Sequence, residues 1–117
     1  MSYRPWYKRF PSDFIAGTMQ MSLEQKGAYS IVLDLLYDRR EPIPDDSQWI
    51  ARVCGCSTRK WNQIREYLIL EGKLVSENGC LDNPRSIKQR LNEEKEAEKL
   101  AENAAKSQDR RNGALAV

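Results

Sequence analysis

The stretch from Trp49 to Asp82 constrains the fold of this chain more than any other. Trp49, Ile50, Val53 and Cys54 are spaced to give one apolar helix face. Gly55 follows, where a left-handed stop fits, and Ser57 is a good N-cap two residues later. A second helix carries Trp61, Ile64 and Leu68 on one side and ends at Gly72. Beyond it lie Lys73 to Glu77, the pair Asn78-Gly79, and Cys80 to Asp82. Asn-Gly between short apolar runs predicts a β-hairpin with a tight turn. Helix, turn, helix and hairpin in this order outline a winged helix-turn-helix.

The flanking segments complete that outline. Residues 1–14 contain two prolines and the aromatics Tyr3, Trp6, Tyr7, Phe10 and Phe14, and predict an extended arm. The rings either pack onto the domain or stack nucleic-acid bases, with Arg4, Lys8 and Arg9 meeting phosphates. Ser12 or Asp13 is placed to cap a short turn at Phe14 to Ala16, and Thr18 to Met21 reads as a connector. Ser22 to Gln25 is a capping-box signature opening a helix to about Tyr37 or Asp38. Its polar residues Lys26, Ser30, Asp34 and Asp38 form one stripe, so the helix is expected to be buried on most sides. Gly27 lowers helix propensity and reads as a place for a close backbone crossing. Pro42-Ile43-Pro44 is forced extended and is expected as an edge strand beside the hairpin, where proline is tolerated. Asp45-Asp46 is expected to cap the Trp49 helix.

After the hairpin, Asn83-Pro84 opens a last helix whose first two turns, with Ile87 and Leu91, are expected to dock. Charge then dominates from Glu93 to Lys106, and Ser107 to Val117 are expected to fray. The expected fold is mainly α with a small β-hairpin. It comprises a winged helix-turn-helix domain over residues 1–92 and a polar helical extension over residues 93–117. Heptad spacing is weak because Glu94 and Glu98 interrupt the Ile87–Leu91 seam.

Composition limits the chemistry. With 117 residues and 40 % hydrophobic content, the chain can bury a small core. The net charge of +2 is modest, but it is unevenly spread. Arg52, Arg59, Lys60, Arg65 and Lys73 outnumber Glu66 and Glu71 across the second helix and its approaches, while Phe14 to Ala51 is acidic. The chain has no histidine, which removes the commonest general base and metal ligand. Cys54, Cys56 and Cys80 follow no zinc spacing and read as small buried thiols of a reducing cytosol. No catalytic pair, metal site, cofactor loop, signal peptide or membrane span is expected.

An ordered set of motifs carries a family likeness: W-Y-x-R-F-P-S-D-F from Trp6, T-M-Q-M-S-L-E-Q-K-G-A-Y from Thr18, L-D-L-L-Y-D from Leu33, P-I-P-D-D from Pro42, I-A-R-V-C-G-C-S-T-R-K-W from Ile50 and G-C-L-D-N-P-R from Gly79. Across residues 3 to about 92 the chain resembles the YdaU-type N-terminal domain of prophage-encoded proteins, a domain of unknown function. The resemblance implies a winged-helix-like domain linked to phage DNA replication and supplies no established site residues. Relatives of this type often continue into a longer second region.

Three functions follow as expectations. In the first, the chain binds double-stranded DNA in the cytoplasm. Thr58, Arg59, Lys60, Asn62, Gln63 and Arg65 then face the major groove, and Lys73, Arg4, Lys8 and Arg9 neutralise phosphates. The bland alternative is an ordinary solvated helix face. The hairpin tip, Ser76 to Gly79, has no base, so the wing is expected to contribute little. In the second, the chain is an assembly module that docks phage or host replication or regulatory partners, or self-associates through its C-terminal helix. The third, an enzyme, finds no supporting spacing.

Overall fold

A computed structural model of the chain describes residues 8–115, with side chains described through residue 108. Among these residues there are five helices and three short strands: α1 (Pro11–Thr18), α2 (Leu23–Arg39), β1 (Ile43–Pro44), α3 (Ser47–Cys54), α4 (Thr58–Leu70), β2 (Val75–Glu77), β3 (Cys80–Asp82) and α5 (Pro84–Leu115). The arm residues Tyr3, Arg4, Trp6 and Tyr7 lie outside the described residues.

Local chemistry sets most of the boundaries. Ser22 and Gln25 close a reciprocal capping box: the Gln25 backbone N–H donates to Ser22 Oγ at 3.1 Å, and the Ser22 N–H donates to Gln25 Oε1 at 2.8 Å. Ser57 caps α4 by accepting from the Lys60 N–H at 3.1 Å. Gly55 ends α3 at φ 81°, where a side chain would strain the backbone. The Cys56 N–H then reaches back to the Ala51 carbonyl at 3.0 Å, the six-to-one bond of a Schellman motif. The Lys73 N–H makes the equivalent bond to Leu68 at 2.8 Å, past Gly72.

The strands form one antiparallel sheet in the order β1-β3-β2. Asn78 and Gly79 turn the β2–β3 hairpin with φ of 54° and 74°, both positive as a type I′ turn requires. β1 pairs on the free edge of β3, with Ile43 opposite Leu81 and Pro44 opposite Cys80. The proline-bracketed edge strand expected from the sequence is therefore present.

One core serves these elements. α2 contributes Ala28, Tyr29, Val32 and Leu36; α4 contributes Trp61, Ile64 and Leu68; Ile43, Ile50 and Leu81 close it from the sheet and α3, with Leu74 from the segment before β2. Trp61 is fully buried, and truncating a tryptophan so placed to alanine costs about 3–5 kcal/mol. Its indole Nε1–H has no acceptor among the described residues, so burial of the ring, not polar bonding, accounts for its contribution.

Several expectations need correction. Residues 11–18 are helix α1, not an arm with a single turn. Pro11 occupies the first helical turn, where its missing N–H costs nothing, and Phe10 just before it is extended. Val53 is 41 % exposed; Ala51 takes its place beside Ile50 in the buried face of α3. Asp46 alone caps α3, accepting from the Trp49 N–H at 3.2 Å, because Asp45 is engaged elsewhere. A Cβ built on Gly27 would meet no atom within 4 Å, so this glycine marks no close crossing. α2 runs on to Arg39 and stops at Arg40 in the left-handed region.

The compact unit ends at Ser86, and residues from Ile87 form a second unit within α5. That unit is helical to Leu115 rather than frayed from Ser107. Its surface carries an i, i+4 ion pair between Glu102 and Lys106 at 3.4 Å, worth only a few tenths of a kcal/mol when exposed.

Candidate functional site

The exposed side of α4 is the surface on which the sequence places most of its candidate binding residues. Burying Trp61, Ile64 and Leu68 at spacings of three and four turns the opposite stripe outward. Thr58, Arg59, Asn62, Gln63 and Glu66 are exposed there. Arg59 and Gln63 stand one turn apart and have no side-chain partner among the described residues, so both are available to a ligand. Glu66 adds an acid toward the C-terminal half, which leaves the N-terminal half of the stripe as its basic end.

The other candidates on α4 are held. Ser47 Oγ at the start of α3 donates to Asn62 Oδ1 at 2.7 Å. This leaves the Asn62 amide N–H₂ able to donate. The Lys60 ammonium lies 2.6 Å from the Glu24 carboxylate of α2. Arg65 lies at the edge of the stripe and turns toward the sheet: Nε and Nη2 donate to Asp45 Oδ1 and Oδ2 at 2.9 and 2.5 Å. Ser76 on β2 donates to the same carboxylate at 3.1 Å. Hydrogen bonding from Arg65 holds the Asp45 carboxyl below its ordinary range, outweighing the opposing effect of burial. Reciprocally, Asp45 pushes the Arg65 guanidinium further up. Arg65 thus braces α4 against the sheet, and a groove would meet its neighbours before it.

The remaining bases are not on this stripe. Lys8, Arg9 and Lys73 border a cavity between the segment leading into α1, α2 and the turn after α4. Arg4 lies outside the described residues. Around that cavity the structure adds Tyr29, Asn83 and Arg85, which the sequence reading does not single out as binding residues. Nothing local marks them, because they come together from positions 29, 83 and 85 only through the fold.

The described residues contain no group of three Cys, Asp or Glu side chains arranged to hold a metal ion. Burial pushes the Cys54 thiol up to about 11, so it stays protonated at neutral pH and is a poor nucleophile. No described helix is long and apolar enough to cross a membrane.

With this geometry in view, comparison with known proteins gives a family. Residues 5–94 match the model described as "Protein of unknown function (DUF1376)". The chain belongs to the DUF1376 family. The match takes in every described helix and strand of the compact unit and the first turns of α5. A second likeness is short. Over 55 residues the chain is 38 % identical to a 5-methyltetrahydropteroyltriglutamate--homocysteine methyltransferase of Blochmanniella floridana. That segment covers 44 % of this chain and 7 % of the enzyme. No solved structure matches the chain.

Proposed function

We propose that this DUF1376 domain is a non-catalytic, winged-helix-like DNA-binding module that lays the N-terminal half of α4 along a major groove. The observation behind this reading is the unpartnered pair Arg59 and Gln63 on the exposed side of a helix that follows a tight turn from α3. In helix-turn-helix readers the second helix enters the groove and its early residues meet base edges. Arginine can fork onto guanine, and glutamine onto adenine. The Asn62 amide is a third donor on the same stripe. The YdaU-type likeness of the motifs supports a phage or prophage setting with a role in DNA replication initiation or its control. The hairpin tip, Ser76 to Gly79, carries Glu77 and no base, so the hairpin adds little to binding.

Fluorescence anisotropy with labelled duplex DNA tests the proposal. Binding should tighten steeply as salt falls from about 200 to about 50 mM, because phosphate contacts release counterions. Arg59→Ala should weaken binding to a preferred site by about 1–3 kcal/mol, and Arg65→Lys should leave it nearly unchanged. Flat titrations at the lower salt concentration would sink the proposal.

The assembly reading, in which the chain docks partner proteins or self-associates through α5, draws less support. Leu91 and Leu100 are exposed at 50 % and 70 %, but nine residues of helix place them on opposite sides. No continuous apolar seam joins them. Light scattering on the full chain and on a Leu91→Lys, Leu100→Lys variant decides this: a monomer in both cases removes α5 as an oligomerisation element.

A further inference from the structure

The cavity bordered by Lys8, Arg9 and Lys73 has a composition that the α4 surface does not explain. Its volume is about 240 Å³, room for roughly eight waters. It lies wholly within the compact unit. Four cations line it (Lys8, Arg9, Lys73, Arg85) against one carboxylate, Asp13.

Two of the cations are already balanced. Arg85 Nη2 donates to Asp13 Oδ2 at 2.7 Å, and its guanidinium sits 5.3 Å from the Phe10 ring centroid. Arg9 donates to Ser30 Oγ at 3.0 Å and lies 3.8 Å from the Asp34 carboxylate. It also covers the Phe14 ring at 4.3 Å. Lys8 and Lys73 have no counter-ion among the described residues.

Lys73 is anchored at both ends of its backbone. Its N–H donates to the Leu68 carbonyl at 2.8 Å, and its carbonyl accepts from Asn83 Nδ2 at 2.7 Å. From that fixed point the ammonium reaches across to α1, where Nζ would lie 3.4 Å from a Cβ built on Gly17.

Tyr29 supplies a neutral donor. The residue is 8 % exposed, and its hydroxyl accepts from Asn83 Nδ2 at 3.1 Å. With Asn83 donating, the phenol proton is left to give, and no described residue accepts it. Burial raises the Tyr29 pKa, which keeps that proton in place. Part of the wall is aromatic, from Phe10, Phe14, Tyr29 and Tyr37, with the Phe14 and Tyr29 rings stacked at 6.1 Å.

We infer that this cavity binds the phosphomonoester of a nucleotide, with the Lys73 and Lys8 ammonium groups and the Tyr29 hydroxyl meeting the phosphate oxygens. The aromatic rings and Arg9 border the same cavity and would flank the sugar and base. Two ammonium groups suit the near-double negative charge of such a phosphate at neutral pH better than a carboxylate. The cavity has no room for a second nucleotide beside the first, so the ligand is either a free mononucleotide or the phosphorylated end of a single strand. This site is separate from α4 and stands or falls independently of duplex binding there.

Isothermal titration of the full chain tests the inference with four probes: inorganic phosphate, AMP, a short single strand with a 5′-phosphate and the same strand with a 5′-hydroxyl. AMP or the 5′-phosphorylated strand should bind saturably and more tightly than inorganic phosphate. Whichever of the two is tighter identifies the source. Lys73→Met should weaken that binding at least ~10-fold, and Tyr29→Phe should weaken it severalfold, with Lys99→Met as an unaffected control. Amide NMR shifts of the native chain on adding AMP should centre on α1 and Lys73, a readout that does not depend on any variant folding. Three results overturn the inference: no saturable binding of AMP or the 5′-phosphorylated strand, inorganic phosphate binding as tightly as either, or the 5′-hydroxyl strand matching the 5′-phosphorylated one.

Discussion

Asp45 and Arg65, twenty positions apart, meet through two parallel hydrogen bonds, Nε to Oδ1 at 2.9 Å and Nη2 to Oδ2 at 2.5 Å. The carboxylate is 14 % exposed and the guanidinium 25 %, so water screens the pair only in part. The bond joins α4 to the segment between β1 and α3 and, through Ser76, to β2. Removing one member leaves a half-buried charge, so Asp45→Ala should cost about 1.5–3 kcal/mol. The urea midpoint at neutral pH should fall accordingly, with an unchanged slope.

The same pair gives a pH dependence of known sign. Asp45 titrates in the folded chain below its ordinary value of 3.8. Its contribution is therefore fully present above the unfolded pKa and is lost as pH falls through the lower folded one. The urea midpoint of the native chain should drop as the pH is lowered below the ordinary value of 3.8. That of Asp45→Asn should drop less over the same interval.

Asn83 uses both ends of a single buried amide. Its Oδ1 accepts from the Arg85 and Ser86 N–H groups at 3.0 and 3.1 Å, capping α5. Its Nδ2 donates to Tyr29 Oη and to the Lys73 carbonyl. Asn83→Ala removes the cap, worth about 1 kcal/mol, and leaves a buried carbonyl without a donor, worth about 1–3 kcal/mol more. Asn83→Asp should retain the cap but sets an acceptor-only carboxylate oxygen against the Lys73 carbonyl, so it should cost at least the second part. Thermal melts of the two variants separate these contributions.

Cys54 should be slow to alkylate. A thiol displaced from an ordinary 9.0 to about 11 has a roughly hundredfold smaller thiolate fraction at neutral pH. Iodoacetamide labelling followed by peptide mass spectrometry should show Cys54 reacting far more slowly in the native chain than in urea. Equal rates would mean that the α3–α4 turn opens readily.

What could be read from the sequence divides along the same line as these interactions. Features written in neighbouring residues were legible: the Ser22–Gln25 box, the Ser57 cap, the Gly55 stop and the Asn78-Gly79 turn each rest on chemistry within a few positions. The α1 helix is not legible in the sequence, because two prolines and many rings read as an arm, although Pro11 sits where a helix start tolerates proline. Arg65 reads as an outward base on a helical wheel. Only the fold shows that Asp45 lies beside it, since no local spacing marks a partner twenty residues away. The cavity was least legible, because its lining is gathered from residue 8 to residue 85.

Glycines 27 and 55 should respond in opposite directions to the same substitution. Both are in open space, with no atom within 4 Å of a built Cβ, so packing does not distinguish them and backbone conformation does. Gly27 sits inside α2 with no positive φ. Alanine there narrows the unfolded ensemble and raises helix propensity, so Gly27→Ala should stabilise by about 0.5–1 kcal/mol. Gly55 has φ 81°, a region where a Cβ collides with its own backbone. Gly55→Ala should therefore destabilise by about 1–2 kcal/mol, with Gly55→Asn intermediate because asparagine tolerates the left-handed region better. Paired urea denaturations of the native chain and the three variants check the signs. A destabilised Gly27→Ala would mean that α2 is packed more tightly at that turn than its open surroundings show.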